Sequence, residues 1–339
     1  MYKRILVPLD GSKLAEQVLP YVRVMAKTCQ VPIILLKAFD LIHPPSTDPS
    51  HAVYMDRLFN YYKSDAEEYL GHVKSSLSGL GVPIFIAARE GDSAVQIIAE
   101  AEREPGTLIA MATHGRSGIP RMVMGSVTNR VLHAATDPLL IVRATSEEDF
   151  NGQVDFKTII VPVDGSALAE QVLLHAAHLA QLLGLAVTLL RVTPPIEKYQ
   201  GSMGVTRIDE SSGFQFDTYE GLIKEADERA LAYLDGLEKD LYDLGVVSVT
   251  KRVVRGQADD AIVDLARQMP GNLVAMTTHG RSGIGRWVLG SVADGVVRRS
   301  GNPVFVIRSE EKSSAKNKAA NRSDGDQNPV GAGTGSDTR

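Results

Sequence analysis

With 339 residues, 44% of them hydrophobic and 23% charged, the chain has the make-up of a globular protein with room for two domains of about 150 residues. A net charge of −5 gives no reason to expect general nucleic-acid binding, which needs a basic surface. The lone Cys29 excludes an internal disulfide, and no apolar run reaches the ~18 residues of a membrane span, so a cytoplasmic protein is expected.

In chain order, the β-branched run Arg4–Leu9 reads as a first strand and the stretch near Lys13–Lys27 as a first helix. Asp10 ends the opening apolar run too early for a signal peptide. A strand at Pro32–Phe39 follows; its segment Ile33-Ile34-Leu35-Leu36 is apolar throughout, as in a parallel strand covered on both faces. After a Pro- and Ser-rich loop at His43–Ser50 come a helix near Tyr54–Leu80 and a strand at Pro83–Arg89. A helix near Ser93–Glu104, a strand at Thr107–Ala112, a helix near Ser126–Ala135 and a strand at Leu139–Arg143 complete this half. Such alternation predicts βαβ units and a parallel sheet.

Asn151-Gly152-Gln153 leads into a second half that repeats the first. Val7–Leu19 returns as Val161–Leu173 with two positions changed, and Thr113–Ile119 returns unchanged as Thr278–Ile284. Strands are predicted near Thr158–Val163, Ala186–Val192, Val246–Val254, Leu273–Thr277 and Val304–Arg308. Helices are predicted near Leu168–Leu183, Asp217–Leu244, Asp259–Gln268 and Val292–Arg299. The repeat is far longer than a solenoid unit, so whole domains are duplicated: one over 1–147 and one over 154–309. The loop Pro194–Gly213 holds most of the second half's extra length. Residues 310–339 are polar and unable to bury a core, and read as a disordered tail. The fifth strands, Leu139–Val142 and Val304–Ile307, are expected to pair within the chain and cover each other's edges, with further homodimerisation left open.

Chemistry concentrates after the fourth strand. Gly115 and Gly118 permit close backbone approach, Arg116 offers a bidentate cation, and Gly125-Ser126 opens a helix whose first N–H groups favour an anion. Gly280, Arg281, Gly283, Gly290 and Ser291 repeat this arrangement. Either constellation alone is compatible with simple turn and cap roles, but their repetition at fixed spacing favours phosphate binding at the carboxyl ends of the strands. Nothing matches the Walker A pattern, and no G-x-G-x-x-G follows the first strand. Asp10 and Asp164 suit either a ribose or adenine contact or an Asx turn. His114 and His279 lack a recurring carboxylate, nucleophile or metal-ligand spacing, and read as turn-stabilising or solvent-facing.

Together these residues resemble the universal stress protein family in its tandem two-domain form. The family motif G-x2-G-x9-G-[S/T] is matched by Ala112, Gly115, Gly125 and Ser126, and again by Thr277, Gly280, Gly290 and Ser291. Both halves also carry its V-P-x-D-G-S strand ending, and the likeness runs from Tyr2 to about Arg308. The resemblance implies two doubly wound α/β domains, each with a five-stranded parallel sheet of order 3-2-1-4-5, in the adenine-nucleotide α-hydrolase-like group. It also implies ATP, with or without Mg2+, as the ligand. Pro8, Leu9, Asp10 and Ala38 would line an adenosine pocket, and Met111, Ala112, Gly115, Arg116, Gly125, Ser126, Val127 and Thr128 would surround the phosphates. The second set is Pro162, Val163, Asp164 and Val192, with Met276, Thr277, Gly280, Arg281, Gly290, Ser291, Val292 and Ala293.

The first motif glycine is Ala112 in one half and Thr277 in the other, where a β-branched side chain crowds the approach. Ala293 replaces Thr128 and removes a hydroxyl near the implied phosphates. The first half is therefore expected to bind ATP at least as tightly as the second. The leading reading is a nucleotide-binding regulatory protein of stress physiology. The alternatives are a slow ATPase or nucleotidyl-transferring enzyme, disfavoured because no acid–base pair recurs, and a scaffold with vestigial sites.

Overall fold

The computed structural model describes residues 2–41, 49–113, 124–145, 152–195, 219–278 and 289–309. In the first half the elements are β1 (Arg4–Pro8), α1 (Lys13–Glu16), α2 (Leu19–Cys29), β2 (Ile33–Phe39) and α3 (Pro49–Ser76). They continue as β3 (Ile84–Glu90), α4 (Ser93–Glu102), β4 (Thr107–Ala112), α5 (Ser126–Ala134) and β5 (Leu139–Val142). The second half repeats them as β6 (Thr158–Val163), α6 (Ala167–Glu170), α7 (Val172–Leu183), β7 (Ala186–Thr193) and α8 (Tyr219–Asp243). It ends with β8 (Val249–Arg255), α9 (Ala258–Gln268), β9 (Asn272–Thr277), α10 (Ser291–Arg299) and β10 (Val304–Ile307).

The single helix expected over Lys13–Lys27 is two. The N–H groups of Gln17 and Val18 bond three residues back, to Leu14 and Ala15, closing a tight turn. Pro20, in the first turn of α2, has no N–H for a continuous helix, yet the second half breaks at the same place with Leu174 there. A glutamine stands at the break in both halves, Gln17 and Gln171. Buried Gln17 donates Nε2–H to Thr145 O and accepts the Thr145 N–H at Oε1, both at 2.8 Å, pinning the chain that leaves β5. The long third helix starts at Pro49, inside the expected loop and ahead of the expected Tyr54, because proline is favoured in a first turn. Residues 42–48, most of 194–213 and the tail lie outside the described residues.

The strands form one ten-stranded sheet of order β3-β2-β1-β4-β5-β10-β9-β6-β7-β8. Each half is all-parallel in the order 3-2-1-4-5, and each is covered on both faces. On one face lie α2, α3, α7 and α8, contributing residues such as Val22, Leu70, Leu179 and Leu234; on the other lie α4, α5, α9 and α10, contributing Ile97, Val131, Ile262 and Val296. Both apolar layers run uninterrupted from one half into the other.

The halves meet where β5 and β10 pair antiparallel, with Ile141 opposite Val304, Leu140 opposite Phe305 and Leu139 opposite Val306. All eight residues of the two strands are buried, so the pairing expected of the fifth strands is also an apolar seam. A second pair of contacts straddles it: Tyr2 hydrogen-bonds His175 Nδ1 at 3.0 Å, and at the equivalent positions Phe156 packs on Tyr21 with ring centroids 5.8 Å apart. Arg298 adds a third tie, reaching Asn129 Oδ1 in the opposite half at 3.3 Å.

Candidate functional site

Each first strand ends in a wired turn. In the first half the Asp10 carboxylate accepts the Ser12 N–H at 2.9 Å, and the Ser12 hydroxyl caps α1 by accepting the Ala15 N–H at 3.1 Å. Between them Gly11 has φ 92°, a left-handed conformation that disfavours any side chain. Asp164, Gly165 and Ser166 repeat the turn with distances of 3.0 and 3.1 Å. The Asx-turn role read from the sequence is thus present, and it faces the Asp10 carboxylate onto the carboxyl edge of the sheet.

The fourth strand leads to the second component. Thr113 N–H bonds Val142 O at 2.9 Å, and Gly125 N–H returns to Thr113 O at 2.7 Å, so α5 starts against the end of β4. Gly125 is the N-cap and supplies no side chain; Asn129 N–H is the first to find a helical carbonyl, that of Gly125 at 2.9 Å. The N–H groups of Ser126, Val127 and Thr128 thus have no partner within the helix and sit at its positive end. Thr278, Gly290 and Asp294 reproduce every one of these bonds, at 2.9, 2.8 and 2.9 Å.

A hollow of about 300 Å³ opens between these pieces. It is lined by Pro8, Leu9, Asp10, Ala38, Met111, Ala112, Gly125, Ser126, Val127 and Thr128, all anticipated from the sequence. Its counterpart of about 270 Å³ is lined by Pro162, Val163, Asp164, Val192, Met276, Thr277, Gly290, Ser291, Val292 and Ala293. Gly115, Arg116, Gly280 and Arg281, with His114 and His279, lie outside the described residues. The sequence reading did not name Ala15, Leu36, Ser93, Ile97 and Thr113, or their equivalents Ala169, Leu190, Ala258, Ile262 and Thr278. Ser93 carried no repeat signal, because between Glu90–Ser93 and Arg255–Ala258 only the glycine recurs.

One expectation about chemistry is corrected. The Thr128 hydroxyl does not point at a ligand; it is buried and donates to Ala112 O at 3.0 Å, locking α5 to β4. The second half moves the hydroxyl across that junction, with Thr277 on the strand and Ala293 on the helix. The second hollow is also narrowed by Val192 in place of Ala38, and less polar with Ala258 in place of Ser93.

The rims differ further. Asp92 caps α4, accepting the Val95 N–H at 3.0 Å, and pairs with Arg130 of α5 at 2.5 Å. The Arg130 guanidinium, helped by the Val95 N–H, holds the Asp92 carboxyl below the usual carboxylate range. In the second half Gln257 occupies the Asp92 position without capping α9, and Arg299 ties α10 to Asp259 and Asp260 instead.

The model of the universal stress protein family matches the chain twice, over residues 1–143 and 155–308. The chain belongs to that family. It is 29% identical over 148 residues to a universal stress protein of Methanocaldococcus jannaschii, covering 44% of this chain and 86% of that one. It is 27% identical over 148 residues to the universal stress protein YxiE of Bacillus subtilis, covering 42% of this chain and 100% of that one. A solved universal stress protein from Archaeoglobus fulgidus superposes with a TM-score of 0.63 at 24% identity, over 91% of this chain and 99% of the other. That likeness is one of fold, and it spans both halves of this universal stress protein. No helix among the described residues is long and apolar enough to cross a membrane.

Proposed function

We propose that this universal stress protein binds an adenine nucleotide, ATP with or without magnesium, in each of its two hollows, and acts in the cytoplasm as a regulatory nucleotide-binding protein of stress physiology. The observation that carries the reading is the hollow at the carboxyl edge, where Asp10 faces the bare N-terminus of α5, built again in the second half. Apolar Pro8, Leu9, Leu36 and Ala38 suit the faces of a base, Asp10 suits ribose hydroxyls, and the N–H groups of Ser126 and Val127 suit phosphate oxygens. By their place in the repeat, Gly115 and Arg116 would be among the residues around the phosphates, as Gly280 and Arg281 would in the second domain. Asp10 is the ionisable side chain among the described lining, and it already accepts the Ser12 N–H, which suits recognition better than proton transfer.

Calorimetric titration of the full chain with ATP is expected to resolve two sites, and nucleotide recovered after incubation with magnesium is expected to remain ATP. Blocking each hollow in turn, with Ser126→Glu or Ser291→Glu, should show the first half binding at least as tightly. Tighter binding by the second half reverses the ranking. No uptake of ATP in either background overturns the function.

A further inference from the structure

We propose that Arg130 is a specificity-determining residue of the first hollow, exchanging Asp92 for the outer phosphates of a bound nucleotide and so favouring a triphosphate over a monophosphate; the assignment rests on the nucleotide reading above. Two helix starts flank that hollow, since Ser93 is the first residue of α4 and Ser126 the first of α5, and both line it. Arg130 follows Ser126 by four positions and Val127 by three, so it shares their face of α5. Helical side chains lean toward the N-terminus, which lays Arg130 over the first turn. Its Nη1 meets Asp92 Oδ2 at 2.5 Å, and Asp92 is the residue immediately before Ser93. The guanidinium therefore lies across the gap between the two helix starts, at the rim where phosphates beyond the first would emerge.

The pair is built to exchange. Its side chains are 52% and 47% exposed, so water screens the attraction and its release costs little. A polyphosphate carries more charge than one carboxylate and presents paired oxygens that match the guanidinium fork. Asp92 keeps its capping bond to the Val95 N–H through Oδ1, so α4 stays capped when the arginine leaves.

The second hollow cannot work this way. Gly295 stands where Arg130 does, and a Cβ there would come within 2.6 Å of Asp259 Oδ2. Asp294 stands where Asn129 does, placing a carboxylate in the first turn of α10, and Arg298 holds it at 2.7 and 2.8 Å. At the positions of Asp92, Asn129 and Arg130 the second rim carries Gln257, Asp294 and Gly295, so the cation is gone and the carboxylate has moved from the start of the fourth helix to the first turn of the fifth. The first site should therefore discriminate by phosphate number more strongly than the second.

The test uses the full chain carrying Ser291→Glu, so that the first hollow alone reports, titrated calorimetrically with ATP and with AMP. Arg130→Gln is expected to weaken ATP binding about tenfold while leaving AMP within about twofold, as loss of one charge-assisted contact requires. Arg130→Lys should restore part of the ATP affinity, whereas Asp92→Asn, which keeps the cap but removes the competing charge, should strengthen ATP binding about threefold. An unchanged ATP-to-AMP ratio in Arg130→Gln, or a loss of ATP affinity in Asp92→Asn, overturns the assignment while leaving nucleotide binding intact. Failure to bind either nucleotide overturns the nucleotide reading, and this assignment with it.

Discussion

The two halves hold one architecture by different chemistry, most plainly beneath the fourth helix of each. In the first half Glu100, its side chain 8% exposed, receives Arg4 at 3.4 Å, Arg89 at 3.1 Å and Arg103 at 2.9 Å. The equivalent positions in the second half are Leu265, Thr158, Val254 and Gln268, and Leu265 and Val254 simply join the apolar layer. A neighbouring pair keeps its job while changing its side chain. Thr107 donates to Glu104 O at 2.6 Å at the foot of α4, and Asn272 donates to Ala266 O at 2.6 Å at the foot of α9. The lesson is that the backbone needs volume and satisfied carbonyls at these sites, and is indifferent to whether charges or methyl groups supply the volume.

That comparison breaks most visibly at Glu100. Glu100→Leu alone removes the carboxylate the three arginines share, leaving Arg4 only Thr107 Oγ1 and backbone carbonyls, and is expected to cost about 3 kcal/mol in urea unfolding, the low end for removing one partner of a buried pair. Adding Arg4→Thr and Arg89→Val, which rebuilds the second half's version, should recover most of the loss. A neutral single substitution would mean that water already screens the cluster.

The seam contacts offer a smaller effect with a pH signature. Burial, with the neighbouring His178, pulls His175 from 6.5 down to about 4, so the folded chain refuses a proton that the unfolded chain accepts. The contribution of neutral His175 is complete above about pH 6.5 and is lost as pH falls toward 4, by at most about 1.4 kcal/mol per pH unit. Thermal unfolding followed across that window should flatten in His175→Phe, which imitates the all-carbon Phe156–Tyr21 contact. An unaltered slope would assign the acid sensitivity to other groups. The smallest effect is expected at the hydroxyl that changes sides: Thr128→Ala should cost about 1 kcal/mol for the lost bond to Ala112 O. Adding Ala112→Thr, to copy Thr277 and Ala293, should return part of it, and strict additivity would show that the positions do not compensate.

Much of this was legible in the chain because it rests on local pattern. The apolar runs at Ile5–Val7 and Ile33–Leu36 and the Asp10-Gly11-Ser12 turn announce strands, a turn and a cap within a few residues of each other. The hollow was legible for the same reason, since most of its lining sits in two repeated motifs. What was hidden depends on residues distant in sequence. Arg4 meets Glu100 across 96 positions, Gln17 meets Thr145 across 128, and Tyr2 meets His175 across 173. Periodicity says nothing about such pairs. Nor does a residue's place in a motif say where its hydroxyl points, which is why Thr128 was expected to face a ligand and faces a carbonyl.

The antiparallel pairing of Leu139–Val142 with Val304–Ile307 has a practical consequence for anyone who cuts this molecule in two. Either piece would carry a greasy ribbon of idle amides and carbonyls, and a sister piece is the nearest thing able to satisfy it. Severed fragments would therefore marry one another head to tail or clump, and a lone half measured in a tube would report on a twin.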